Sequence, residues 1–140
     1  MDRGKQLFVL VVSNDRVIAA TLARVAQKGG YLAGSTSSGD TAARIAGRMV
    51  IDAAVIDLPA NHGMCLDTAV ALQRAYPDCR IILVCSPAQL DEAALRAEEC
   101  GLFCEFAVRP LSRTELLAKL AAAPGVPSQP QPWAGRLQVA

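Results

Sequence analysis

The chain has 140 residues, 52% hydrophobic and 19% charged, with a net charge of +1. That is the length of one domain with enough apolar material for a core, and the near-neutral balance supplies no global field that would draw it to nucleic acid or a membrane surface. The longest apolar run, Leu7 to Val12, falls far short of the roughly 20 residues that span a bilayer, and "MDRGKQ" leads into it without signal-peptide architecture, so a cytoplasmic chain with no membrane segment is expected.

The first element is a strand, "LFVLVV" (Leu7–Val12). Asp15–Lys28 is a helix, with Ile18, Leu22 and Val25 at i, i+4, i+7, and Gly29-Gly30 stops it. "YLAGS" (Tyr31–Ser35) is a weak second strand, followed by a short helix over Thr41–Arg48 that Ser38 or Asp40 could cap. "AAVIDL" (Ala53–Leu58) is the third strand. After "PANHG" a helix runs from about Cys65 to Tyr76, where Pro77 ends it. "RIILVCS" (Arg80–Ser86) is almost wholly apolar, as a strand covered on both faces must be. Pro87–Cys100 is the next helix, with Ser86 as N-cap, Pro87 in its first turn and Gly101 as its stop. "FCEFAV" (Phe103–Val108) is the fifth strand. Ser112-Arg113-Thr114-Glu115 is a capping box that opens a last helix carrying Leu116, Leu117 and Leu120. Residues 1–123 form the domain, and the proline-rich residues 124–140, including Trp133, read as a linker or disordered tail.

Five strands alternating strictly with five helices predict an α/β fold, a parallel sheet with helices on both faces. Ligand sites in such sheets lie beyond the carboxyl ends of the strands. Those ends are Ser13-Asn14-Asp15, Asp57, Cys85-Ser86 and Arg109-Pro110. The five cysteines include no Cys-x-x-Cys pair, and with one histidine, His62, they offer no zinc-site spacing; reduced, mostly buried thiols are expected. Cys85 and Cys104 read as strand-core residues rather than redox sensors, because neither has a basic neighbour in sequence.

"VVSND" after the first strand, "VIDLP" at the third, "ILVCS" at the fourth and "FAVRPL" at the fifth, in this order, resemble the receiver domain of two-component response regulators over about Leu7 to Ala122. The resemblance implies a flavodoxin-like sheet in the order 2-1-3-4-5. It also implies a site in which an aspartate takes a phosphoryl group from a phosphohistidine. There the charge gathering on the phosphoryl oxygens calls for a magnesium ion held by an acidic pair, and for a lysine. Carried over position by position, Asp57 aligns with the phosphoacceptor, Cys85 with the switch Thr or Ser beside Ser86, Phe106 with the switch aromatic, and Pro110 with the family's proline, often preceded by a cis peptide. The departures are as telling. Ser13 and Asn14 stand where the acidic pair belongs, Asp15 comes one place later, and Arg109 replaces the lysine. Pro59 and Gly63 follow the aspartate two residues sooner than the family places them.

The resemblance is therefore to a degenerate, pseudo-receiver type. It implies a signalling module that acts by protein–protein contact or self-association, as a dimer, through the face of helix 4, strand 5 and helix 5. Asp phosphorylation and magnesium binding would be weak or absent, and no metal or other cofactor is expected. The alternative is a phosphorylation-competent receiver that accepts phosphate on Asp57 from a histidine kinase. Asp57 also has a plainer explanation, as a strand-end carboxylate held by Arg109 or by backbone amides, and capping the first helix alone suffices for Asn14 and Asp15. An enzyme is not expected. There is no Gly-rich phosphate loop, no G-x-S-x-G and no second titratable group clearly paired with Asp57, and "GSTSSGD" (Gly34–Asp40) lacks the P-loop lysine.

Overall fold

The computed structural model describes residues 7–37, 39–59 and 66–121. The elements run β1 (Phe8–Val12), α1 (Arg16–Lys28), β2 (Leu32–Thr36), α2 (Gly39–Ala46), β3 (Ala53–Asp57), α3 (Asp67–Ala75), β4 (Arg80–Cys85), a 3-10 turn (Pro87–Gln89), α4 (Leu90–Glu99), β5 (Cys104–Val108) and α5 (Arg113–Ala121). All neighbouring strand pairs are parallel, as the βα alternation predicts, and the order is β2-β1-β3-β4-β5, as the resemblance implies.

Alternation along the strands sorts the core into two layers, because successive side chains point to opposite faces. Leu10, Ala54, Ile56, Ile81, Leu83, Cys85, Cys104 and Phe106 face one side, where Ala69 and Leu72 of α3 and Ala93, Ala94 and Ala97 of α4 cover them. Val9, Val11, Val55, Ile82, Val84 and Ala107 face the other, under Ala19, Ala23 and Ala26 of α1 and Leu116 and Leu120 of α5. The alanine faces of α1 and α4 let those helices lie close to the sheet.

Several helix ends follow the chemistry expected of them. Asp15 caps α1, accepting from the amides of Val17 (2.9 Å) and Ile18 (3.2 Å). Ser112 and Glu115 form the reciprocal box at α5. Gly30 (φ 98°) and Gly101 (φ 70°) take left-handed backbone that a side chain would strain. Some boundaries differ from expectation. α2 starts at Gly39, so Asp40 lies inside its first turn rather than at its cap; Ser38 is outside the described residues, as are His62, Cys65 and the tail beyond Ala121. The helix expected from Pro87 opens instead as the 3-10 turn and becomes α-helical only at Leu90.

The order of strands positions the site. From β1 the chain goes first to β2 on one side and then crosses to β3 on the other, which opens a crevice at their carboxyl ends. Ser13 and Asp57 sit there. At the opposite edge, Arg80 on β4 pairs with Glu105 on β5 and donates to the Lys119 carbonyl of α5 at 3.0 Å, tying α5 to the sheet.

Candidate functional site

Asp57 ends β3, and both of its carboxylate oxygens have partners. Oδ1 accepts from Arg109 Nη1 at 2.5 Å, and Oδ2 accepts from the Ser13 hydroxyl at 3.0 Å. The Asp57 and Arg109 side chains are 10% and 27% exposed respectively. Ser13 is buried, and its oxygen also accepts from the Asp15 amide at 3.1 Å, so one hydroxyl closes the turn after β1 and orients Asp57.

Arg109 follows β5, and the peptide bond to Pro110 is cis. Its guanidinium does not grip the carboxylate with both arms, as the fork geometry would allow. Ser13 already holds the second oxygen. The free arm, Nη2, turns to the Leu58 carbonyl (3.0 Å) and to Oε1 of Gln89 (3.2 Å), while Nη1 also approaches the Val84 carbonyl at 3.4 Å. The cation thus binds the loop after β3, the end of β4 and the turn before α4 at once.

Gln89 is the residue that reading the sequence missed. Its Oε1 accepts from the Ser86 amide (2.8 Å) as well as from Arg109, and its Nε2 donates to the Pro59 carbonyl (2.7 Å). The signal was present. Ser86-Pro87-Ala88-Gln89 is an S-x-x-Q capping box, and Ser86 Oγ accepts from the Gln89 amide at 3.3 Å.

The other candidates divide. Ser86 and Pro110 line a groove of about 610 Å³ beside Asp57 and Arg109, walled by Val17, Ile18 and Leu22 of α1 and by Leu111. Cys85 and Phe106 are buried in the core layer beneath α3 and α4. Arg109, remote in sequence, does reach the field of Cys85, yet burial prevails and pushes its thiol pKa up. Burial also pushes Cys79 and Cys104 up to about 12. Asn14 is exposed and the Asp15 carboxylate caps α1, while the described polar partners of Asp57 are Ser13 and Arg109.

These donors do not suit magnesium. The ion prefers near-octahedral oxygen ligands with anionic help. Here Asp57 is already ion-paired, Ser13 is neutral, and Asp15 serves a helix. Among the described residues no three His, Cys, Asp or Glu side chains gather as a metal site.

No family model and no curated protein matches the chain. Solved structures do. A response regulator receiver domain protein from Clostridium thermocellum shares 18% identity, with a TM-score of 0.70 over 95% of this chain and 98% of that one. A response regulator from Burkholderia pseudomallei, solved with a phosphorylated aspartic acid, calcium ion and citrate, shares 25% identity, with a TM-score of 0.69 over 96% of this chain and 72% of that one. A beryllofluoride-activated NtrC4 receiver domain dimer shares 20% identity, with a TM-score of 0.67 over 81% and 92%. The structural neighbours are response regulator receiver domains. The chain has the fold of these receiver domains, and none of the helices among its described residues is long and apolar enough to cross a membrane.

Proposed function

We propose that the chain is a degenerate receiver, a cytoplasmic, non-enzymatic signalling module that works by binding a protein partner or a second copy through the α4–β5–α5 face. Its Asp57 site carries its own cation, Arg109, and takes up neither magnesium nor phosphate to a functional extent. The observation that carries this reading is the 2.5 Å pair between Arg109 and Asp57. A phosphoryl group bound for Asp57 would meet an oxygen that already accepts from Arg109 or from Ser13. The carboxylate lone pairs that would attack phosphorus are lowered in energy by both contacts. Catalysis would then have to regain what the ground state already holds, since only interactions stronger in the transition state accelerate transfer.

Incubation with a small phosphodonor and Mg²⁺, followed by intact-mass measurement, tests this. No hydroxylamine-sensitive phosphoryl group is expected on Asp57. Stoichiometric labelling that disappears in Asp57→Asn would establish the phosphorylation-competent alternative, with a histidine kinase upstream.

A further inference from the structure

We propose that Gln89 is the positioning residue for Arg109, and that the two side chains latch the β4–α4 turn onto the Asp57 site, so that the position of α4 is set by Arg109. This rests on the degenerate-receiver reading above. The connectivity is specific. Arg109 holds Asp57 with Nη1, and Leu58 and Gln89 with Nη2; Gln89 in turn holds the Ser86 amide and the Pro59 carbonyl. Two side chains therefore join the three loops that follow β3, β4 and β5.

The residue types are matched to the task. An uncharged amide offers acceptor and donor together, so Gln89 can accept from Arg109 and Ser86 while donating to Pro59. A carboxylate in its place could not donate, and would compete with Asp57 for the guanidinium. A lysine at 109 would be a single point charge, unable to hold Asp57 and Gln89 with separate nitrogens as the planar fork does. The latch also reaches an output. Gln89 directly precedes Leu90, the first residue of α4, and Leu90 packs on the core layer beneath that helix. A change at Asp57 has a bonded route through Arg109 and Gln89 to the first turn of α4, where Asp91 and Glu92 lie.

A route through bonds is not yet a coupling, so the coupling is measured directly. Amide chemical shifts of the full chain are recorded without phosphodonor or divalent cation, and the effect of Asp57→Ala is followed at Leu90 and Asp91. The shift is expected in the wild-type background, and to fall at least threefold in Gln89→Leu and in Arg109→Lys; it should also fall in Gln89→Glu, whose carboxylate cannot donate to Pro59 and competes with Asp57 for the guanidinium. Equal shifts in all backgrounds would overturn the latch. If Gln89→Leu does not fold, Arg109→Lys decides the same question, since a residue that merely caps the turn would leave the coupling intact there. Phosphoryl labelling of Asp57 would sink the functional reading but does not enter this measurement, so the two failures are distinct.

Discussion

Replacing Asp57 by alanine tests the ion pair energetically. Breaking a fully buried pair costs about 3–5 kcal/mol, and an exposed one contributes under about 1. At 10% and 27% exposure this pair lies between those limits. Asp57→Ala leaves Nη1 with only the Val84 carbonyl at 3.4 Å and removes the acceptor of the Ser13 hydroxyl, but the Nη2 bonds to Leu58 and Gln89 persist. One charge-assisted hydrogen bond lost in a partly wet site is worth about 2 kcal/mol. At about 4 °C per kcal/mol for a domain of this size, the melting temperature should fall by about 8 °C. Arg109→Leu should cost slightly more, about 2.5 kcal/mol, because it also strips Leu58 and Gln89 of a donor. The double variant should lose about 3 kcal/mol rather than the sum, a coupling of about 1.5 kcal/mol. Chemical denaturation of the four proteins measures this, and because the pair is partly buried most of the coupling should survive added salt. Additivity within about 0.5 kcal/mol would refute the argument. So would a gain in stability from Asp57→Ala, which would mean that the carboxylate is strained in place rather than satisfied.

The remaining predictions concern other parts of the molecule. Cys79 and Cys104 stay protonated in the fold up to about pH 12, whereas in the unfolded chain they ionise near their ordinary value of 9.0. The unfolded state therefore binds fewer protons between pH 9 and 12, and stability should fall as pH rises, by about 1.4 kcal/mol per pH unit for each thiol; Cys104→Ala should make the alkaline limb shallower by about that slope, and an unchanged slope would contradict it. Exposed Cys100 should react with a thiol reagent at once, and Cys79, Cys85 and Cys104 only on unfolding. Titration with Mg²⁺ to about millimolar levels should give no saturable amide shift at residues 13–15 or 57, since the ion keeps its waters without anionic ligands. Ser13→Asp with Asn14→Asp should lower stability in the absence of metal, because it places like charge beside Asp57, and should make stability depend on Mg²⁺ once Arg109 is also replaced by lysine. Removing residues 124–140 should leave the melting temperature within about 2 °C, since proline and polar residues bury little apolar area; a larger fall would mean that Trp133 or Leu137 packs on the domain.

The fold was legible because its signals are local and repeated. The apolar run Arg80–Ser86 and the glycines at 30 and 101 each mark an element without reference to anything distant, and the βα alternation then restricts the topology. Boundaries shifted where two signals overlap. Pro87 and Ser86 mark a helix start, but Gln89 folds back on the Ser86 amide and tightens the first turn to 3-10 geometry. In the site, opposite charges at 57 and 109 suggested a pair. Their one-armed geometry could not be read, because it depends on Ser13 reaching the second oxygen across 44 residues of chain. Gln89 was harder still. Its partners at 59, 86 and 109 come from three loops, and only the fold brings them together.

On the degenerate-receiver proposal, that convergence bears on why the residues at 13, 14 and 109 would have changed together. A receiver with an acidic pair, an aspartate, a magnesium ion and a lysine is neutral at its site only while the metal is bound, so its charge depends on a dissociable ion. Here Ser13 is uncharged, the Asp15 carboxylate sits at the positive end of α1, and Asp57 is matched by Arg109. Neutrality is built into the chain. Restoring only one half of the family's pattern should therefore be worse than restoring neither. Ser13→Asp with Arg109 retained puts two carboxylates against one cation, and Arg109→Lys with Ser13 retained loses the grip on Leu58 and Gln89 without giving magnesium a site. Under this proposal each single reversion lowers stability, and only the set Ser13→Asp, Asn14→Asp and Arg109→Lys brings back a Mg²⁺-dependent increase in melting temperature. A Mg²⁺-dependent increase from Arg109→Lys alone would show that the acids were never needed, and that Arg109 by itself had excluded the metal.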